Sequence, residues 1–344
     1  MNNSVKELII GSAFFGTGGG GSPAEAEAIF TRIYRRGTLP PLVDVSELDS
    51  DALVVSGFGV GSIEDDADES DFPYEQCVFS LKQYLGHEIS AVIPVEIGPY
   101  AVAAAFELAA HLQVPVVDAD VVGGRSAPEV FLETLTLFRV PRTPAVAANR
   151  RGDVSVLLRT SSPQAEEGFF RMFASFSEGT AYVLGYPLLA RDIRNYCETG
   201  TVSDTRMAGS LLSEGKIDEV ITRFSGCRLF RGVVHEILKR QCPGFLEMEV
   251  LLEGEGLDAK IYVKNENLIL WINGEVALTC PDCIILLNAD GLPVYNLDLR
   301  EGIDVEVLGF PARALWRSAA GQKLFSPRTF GYTFGPRILN CPLA

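Results

Sequence analysis

The sequence is short of positive charge. Its 344 residues include 29 Lys and Arg against 45 Asp and Glu, which gives a formal net charge of -16 at pH 7. The basic residues are scattered, and where they adjoin they form only short pairs such as Arg35-Arg36. An acidic surface without a basic patch repels both phosphate backbones and anionic lipid. We therefore expect no nucleic-acid or membrane partner and a small molecule as the ligand.

Long apolar runs are also missing. The most apolar stretch, around Ala101, is interrupted by Glu107, His111 and Gln113, so no segment is expected to span a bilayer. The first eleven residues lack the basic start and apolar centre of a signal peptide. Hydrophobic residues still make up 47% of the chain, as in an ordinary globular protein. We expect a cytoplasmic protein that is large enough for two domains.

Histidine is scarce, and the seven cysteines do not form a complete zinc-binding motif. The three histidines, His87, His111 and His235, are far apart in sequence. Cys280-Pro281-Asp282-Cys283 contains the one close cysteine pair, which leads into a predicted strand and has no second pair to complete a zinc site. The sequence has no G-x-S-x-G elbow and no P-loop. Carboxylates and glycines remain as the candidates for chemistry.

The first part of the chain, residues 1–162, alternates short apolar runs with helical patterns. The runs at 53–55, 91–95 and 114–117 predict buried strands, and the alternation predicts a layered α/β domain with a parallel-rich sheet. Residues 145–148 and 154–158 are expected to close this domain as a hairpin. The glycines after the first run, Gly57, Gly59 and Gly61, are expected to turn the chain into a loop.

The second part, residues 163–344, changes in character. Helical patterns over 164–177, 187–196 and 203–224 predict a helical connector. Beyond Gly226, short alternating runs separated by turn signals such as Asn273-Gly274 predict a β-rich, barrel-like domain. The predicted strands are 247–252, 260–263, 268–272, 283–287 and 305–308. Apolar strands of this kind are compatible with a homo-oligomer.

The glycine tract Gly16-Thr17-Gly18-Gly19-Gly20-Gly21 is the first candidate site. It directly precedes Ser22-Pro23, which is typical of a helix start. A backbone without Cβ atoms beside a helix N-terminus suits a carboxylate, a phosphate or a developing oxyanion. Thr17, Gly18, Gly19 and Gly20 are therefore candidates for substrate binding. The alternative is a tight turn that lets two helices pack.

The segment Asp118 to Glu129, directly after a predicted strand, is the second candidate. Ligands of open α/β sheets bind at the carboxyl ends of strands. Asp118 and Asp120 are candidates for the catalytic base or for holding a divalent metal ion, and Arg125 and Glu129 are candidates for substrate binding. In the structural alternative the aspartates cap backbone N–H groups, and Arg125 pairs with Glu129 at i,i+4.

Glu96 follows the strand predicted at 91–95 in the same way. The ends of neighbouring parallel strands meet at one edge of a sheet, so Glu96 is expected to converge on Asp118 and Asp120 as a third catalytic candidate. Alone, it would be an ordinary loop carboxylate.

Taken in order, these motifs resemble the S-methyl thiohydantoin desulfurase-like family, whose members are often encoded beside hydantoinases. The matching segments cover nearly the whole chain: Gly16 to Gly21, Glu96-Ile97-Gly98, Asp118 to Glu129, Asn265-Glu266-Asn267, Pro281-Asp282, and Pro327 to Tyr332. The resemblance implies an N-terminal α/β domain and a C-terminal β-barrel-like domain. The site residues that it implies are Gly18, Gly19, Glu96, Asp118, Asp120, Arg125 and Glu129.

The activity implied by the resemblance is hydrolysis of a thiohydantoin or hydantoin-like five-membered ring, with removal of sulfur to leave a hydantoin. That chemistry needs an activated water, donors for a developing anion and a group that orients the ring. Asp118 or Asp120 would activate the water, directly or through a divalent metal, and Arg125 would orient the substrate. The alternative function is a non-catalytic ligand-binding partner of a hydantoinase- or oxoprolinase-type enzyme.

Overall fold

The computed structural model describes residues 3–61, 73–177, 179–254 and 256–340. Its helices are α1 (Asn3–Phe15), α2 (Pro23–Arg36), α3 (Tyr74–Lys82), α4 (Pro99–Leu112), α5 (Thr134–Phe138), α6 (Pro163–Ser175), α7 (Ala190–Tyr196), α8 (Thr201–Ser213), α9 (Ile217–Arg223), α10 (Ala314–Arg317) and α11 (Ala319–Leu324). Within those ranges no helix is both long and apolar enough to cross a membrane.

Sixteen strands lie in the same ranges. They are β1 (Leu42–Val43), β2 (Leu53–Gly61), β3 (Ile89–Val92), β4 (Val116–Val117), β5 (Ala119–Asp120), β6 (Ala145–Ala148), β7 (Val154–Leu157), β8 (Thr180–Leu189), β9 (Glu198–Thr199), β10 (Cys227–Cys242), β11 (Phe245–Glu253), β12 (Asp258–Lys264), β13 (Glu266–Ile272), β14 (Glu275–Thr279), β15 (Cys283–Leu287) and β16 (Asp304–Phe310).

The first sheet has the strand order β1-β4-β3-β2-β8-β6-β7. Strands β1, β4, β3 and β2 are parallel, and β8, β6 and β7 extend the sheet antiparallel. Val55 of β2 packs into the core that includes α1, α2 and α4, and its neighbour Val54 packs into the core that includes α6. Burial on both faces explains why these strands are continuously apolar. The predicted α/β layers and parallel-rich sheet are confirmed.

Two local predictions in this region were wrong. The helix expected over 187–196 begins only at Ala190, because the preceding residues form the end of β8, which pairs with β2. The glycines expected to form a loop lie inside β2. A Cβ at Gly57 would lie 2.8 Å from Leu108, and one at Gly59 would lie 3.2 Å from the Tyr100 ring. These glycines make room for α4 rather than ending the strand.

The second sheet is antiparallel, with the strand order β14-β13-β12-β11-β10-β16-β15. It curls into a half-barrel around a core that includes Val250, Ile261, Leu270 and Val307. All five strands predicted here are present, and the expected β-barrel-like architecture is confirmed. The helix predicted over 203–224 is divided into α8 and α9.

Helix α1 brings the glycine tract against the second sheet. Phe14, near the end of α1, packs edge-on against Phe310 of β16 with ring centroids 5.0 Å apart. The loop that follows is fixed by backbone hydrogen bonds, in which the N–H of Asn267 donates to Thr17 O at 2.8 Å and the N–H of Asn296 donates to Gly18 O at 2.9 Å. The loop therefore lies where the α/β layers and the half-barrel meet.

Candidate functional site

A cleft of about 480 Å³ lies between the α/β layers and the half-barrel. The α/β side contributes the glycine loop, the ends of β2 and β3, the start of α4 and the segment after β5, and the half-barrel side contributes residues from the start of β13 and from 295–298. Tyr100, Tyr182 and Tyr295 supply aromatic walls. Residues from both parts of the chain can thus act on one small molecule.

Glu266, the first residue of β13, forms part of the cleft floor and is only 2% exposed. Its Oε1 accepts hydrogen bonds from the Ser126 hydroxyl at 2.7 Å and from the N–H of Gly20 at 3.2 Å. Its Oε2 is buried and has no hydrogen-bond partner among the described residues. Burial raises the pKa of Glu266 well above the ordinary carboxyl value, and the nearby charge of Glu96 raises this pKa further.

Glu96 lies beside Glu266 and follows the end of β3. Its Oε2 accepts the N–H of Ala127 at 3.0 Å. Burial also raises the pKa of Glu96, while the hydrogen bond from Ala127 and the nearby polar group of Ser126 favour its ionised form. The Ser126 hydroxyl therefore lies between two carboxyl groups that resist simultaneous ionisation. Such a pair retains a proton at higher pH than two separate, exposed carboxyl groups would.

The glycine tract is shaped to receive this carboxylate pair. A Cβ at Gly19 would lie 2.1 Å from Glu266 Oε1. Gly20 has φ +72°, and a Cβ there would lie 2.5 Å from the Cα of Gly98. Only glycine permits this backbone path between β13 and the start of α4. The sequence predicts that N–H groups of this loop bind an anionic ligand, but the N–H of Gly20 donates to Glu266.

Asp118 and Asp120 are not among the residues that line the cleft. Asp118 Oδ1 accepts the N–H groups of Val202 and Ser203, both at 3.0 Å, at the start of α8. The two oxygens of Asp120 accept the N–H groups of Gly123 and Gly124, both at 2.7 Å. This is the capping arrangement that the structural alternative predicts.

The same hydrogen bonds decide whether Asp118 and Asp120 can hold a metal ion. Carboxylate oxygens that accept backbone N–H groups are poorly arranged to share a cation. Within the described ranges, no group of three or more His, Cys, Asp and Glu residues is arranged to hold a metal ion. Asp118 and Asp120 therefore do not fit a divalent metal ion.

Arg125 is buried, at 1% exposure, and is not among the residues that line the cleft. Its guanidinium donates to the carbonyls of Ser126, Pro281 and Asp282, and to the Thr17 hydroxyl at 3.4 Å. It also stacks over the Phe325 ring. These partners span both parts of the chain, so Arg125 joins the two rather than extending into the cleft.

Glu129 lines the cleft and forms an ion pair with Lys264 of β12. The pairing of Arg125 with Glu129, which the structural alternative for this segment expected, is replaced by these separate contacts. Glu129 is also close to Glu167 of α6; burial raises the pKa of the Glu167 carboxyl, and the charge of Glu129 raises it further. Glu129 therefore borders the cleft as part of a charged cluster.

Of the residues predicted from sequence, Gly20, Glu96 and Glu129 line the cleft. Thr17, Gly18 and Gly19 lie in the same loop, and Gly19 lies against Glu266. Glu266 was missing from the predicted site. The sequence carries one signal for it, since Glu266 is a charged residue that begins an otherwise apolar strand within the quoted segment Asn265-Glu266-Asn267.

Fold and site together define a class: a two-part α/β and antiparallel-β protein with a buried glutamate pair in the cleft between its parts. A crystal structure of a protein from Chromobacterium violaceum has this fold, with a TM-score of 0.83, 23% sequence identity and coverage of 98% of both chains. Residues 3–159 match the description "S-Me-THD-like, N-terminal domain", and residues 161–337 match "S-Me-THD-like, C-terminal domain". The chain belongs to the S-Me-THD-like family, which confirms the resemblance. Among curated proteins, none matches the sequence.

Proposed function

We propose that this protein is a hydrolase that removes sulfur from a thiohydantoin-like ring. The observation that carries the proposal is the Glu96–Glu266 pair in the cleft, with the Ser126 hydroxyl between the two carboxyl groups. The family to which the chain belongs supports a thiohydantoin as the substrate class. A carboxylate beside a carboxylic acid supplies both the base and the acid that such a hydrolysis needs.

The roles follow from the surroundings of each carboxyl group. The N–H of Ala127 favours ionised Glu96, whereas the charge of Glu96 favours protonated Glu266. Glu96 would take a proton from water as the oxygen attacks the ring carbon that bears sulfur. Glu266 would protonate the departing sulfur. For an S-methyl thiohydantoin, a C–O bond forms and the C–S bond breaks; one water proton ends on the ring nitrogen and the other on methanethiol, and a hydantoin remains.

The test is turnover of S-methyl thiohydantoin by purified protein, followed as thiol release and hydantoin formation. The variants Glu96→Gln and Glu266→Gln keep the size of each side chain and should reduce kcat about 10²- to 10⁴-fold, the usual effect of losing general acid–base catalysis. Glu275→Gln, at an exposed position in β14, is the matched control and should leave turnover unchanged.

Full turnover by folded Glu96→Gln and Glu266→Gln proteins would show that the pair is not the acid and base. If the wild-type protein turns over no ring substrate but forms a stable complex with a hydantoinase- or oxoprolinase-type enzyme, the alternative of a non-catalytic ligand-binding partner replaces the hydrolase.

A further inference from the structure

Along the outer side of the second half of β10, no strand of the described residues pairs with the backbone. β10 pairs with β16 only as far as Val233, and it pairs with β11 as far as Cys242. At Val234, the N–H donates to Ile303 O and the carbonyl accepts the N–H of Gly302. Beyond this point, no strand in the described part of the chain lies on the outer side of residues 235–242. Those residues are called the β10 edge below.

The β10 edge is exposed on both faces. Six of its eight residues are exposed, and Leu238 is 43% exposed. The exposed residues are His235, Glu236, Leu238, Lys239, Arg240 and Gln241. The register with β11 is regular from Glu236 to Cys242, without a bulge or a proline to discourage pairing. In a chain of net charge -16, residues 235–242 contain one acidic and two basic residues, so this segment is not acidic like the chain as a whole.

Backbone geometry limits how two copies of one strand can pair. Along an edge strand, every second residue directs its N–H and C=O groups outward, and the residues between them direct these groups toward the neighbouring strand of the same sheet. When two identical edges pair antiparallel, both residues of each hydrogen-bonded pair must therefore be outward-directed ones. In such a pairing one residue, at the centre of the interface, lies directly opposite the same residue of the second copy. The register is named below by that central residue. Registers centred on Glu236, Lys239 or Arg240 would place like charges directly opposite, which is unfavourable.

A register centred on Leu238 is self-complementary. It places Leu238 opposite Leu238, Glu236 opposite Arg240 in both directions, and Lys239 opposite Ile237. Arg240 already contacts Glu249 of β11 at 2.9 Å, so the charges would alternate across three strands. A register centred on Ile237 would instead place Lys239 opposite His235 and lose both Glu–Arg pairs.

We propose that the β10 edge binds a second copy of this chain in the Leu238-centred antiparallel register, which joins two half-barrels into one continuous sheet. This proposal does not depend on the reaction in the cleft.

Single cysteine substitutions test the register. Leu238→Cys places the thiols of the two copies directly opposite each other, where cross-strand Cα atoms lie within disulfide range. In Glu236→Cys or Arg240→Cys, the thiols of two identical chains would be separated by four residues, roughly 14 Å.

The experiment is mild oxidation of each folded variant, followed by non-reducing electrophoresis, with the wild type as the control for native cysteines such as Cys242. We expect a covalent dimer from Leu238→Cys, none from Glu236→Cys or Arg240→Cys alone, and a covalent dimer from their mixture. Equal cross-linking of all three single variants, or none from Leu238→Cys, would overturn the proposal.

Sedimentation of the unoxidised protein gives a second test. Glu236→Lys places like charges opposite Arg240 and should weaken dimerisation at least tenfold, whereas Glu275→Lys, at an exposed position in β14, should not. A wild-type protein that remains a monomer at micromolar concentration, or a dimer that Glu236→Lys does not weaken, would contradict the proposed interface.

Discussion

The two carboxylate oxygens of Glu266 have different surroundings, and that difference decides its chemistry. Oε1 accepts hydrogen bonds from Gly20 and Ser126, whereas Oε2 is buried without a partner among the described residues. A buried carboxylate oxygen without a donor is costly, and a proton on it removes most of the cost. The neutral form is therefore favoured at Glu266, which suits a general acid beside ionised Glu96.

This arrangement predicts a pH-dependent stability. Because the pKa of Glu266 is raised in the folded protein, its stabilising contribution is complete below the ordinary carboxyl pKa of about 4.5 and is lost as pH rises through the folded-state pKa. The free energy of unfolding of the wild type should therefore fall, relative to Glu266→Gln, by up to about 1.4 kcal/mol for each pH unit between the two pKa values.

Urea unfolding of the wild type and Glu266→Gln at pH 5, 6, 7 and 8 measures this difference, and Glu275→Gln serves as the control. A stability difference between the wild type and Glu266→Gln that stays constant from pH 5 to 8 would show that the pKa of Glu266 is not raised in the folded protein.

At the residue scale, sequence reasoning reaches one half of the pair. Glu96 is predictable because it follows a buried parallel strand, where α/β proteins bind ligands. Glu266 comes from a different part of the chain, 170 positions away, and faces the cleft only because the half-barrel lies against the glycine loop. That packing is a tertiary contact, which a local sequence pattern does not predict.

At the scale of elements, Asp118 and Asp120 stabilise two local structures through hydrogen bonds to backbone N–H groups. Asp118 caps the start of α8 through one oxygen, and Asp120 holds the Gly123-Gly124 turn through both. Asp120→Asn should lower the free energy of unfolding by about 1–3 kcal/mol, because its amide NH₂ would face a backbone N–H. Asp118→Asn should be nearly neutral, because its single carbonyl oxygen can accept both bonds.

Thermal or urea unfolding of the two variants checks this contrast, and turnover per folded molecule should stay near that of the wild type in both. A folded Asp120→Asn protein with unchanged stability but abolished turnover would return this carboxylate to the catalytic role that the sequence suggested.

The elements themselves were largely predictable, and the exceptions have physical causes. The apolar runs and turn signals indicate the buried strands because hydrophobic periodicity is a local property. Gly57 and Gly59 were misread because a glycine in a strand that accommodates a helix has the same local appearance as a glycine in a loop. The end of β8 was misread because its tertiary pairing with β2 overrides a weak helical pattern.

At the scale of the molecule, the cleft depends on how the two parts of the chain are held together. Arg125 is central to that contact, because it lies in the α/β part and donates to the carbonyls of Pro281 and Asp282 ahead of β15. The glycine loop adds backbone bonds to Asn267 and Asn296. The relative position of Glu96 and Glu266, which come from opposite sides of this contact, is therefore set by buried hydrogen bonds.

Arg125→Lys tests that argument. Lysine keeps the charge but lacks the planar fork that reaches several acceptors at once. We expect the free energy of unfolding to fall by about 3 kcal/mol, which corresponds to roughly two lost hydrogen bonds to a charged donor. Turnover should fall as well, because the two glutamates are placed by the same contact. Arg231→Lys, at an exposed position in β10, is the matched control for urea unfolding and turnover. Wild-type stability in Arg125→Lys would show that the two parts are held together without this guanidinium.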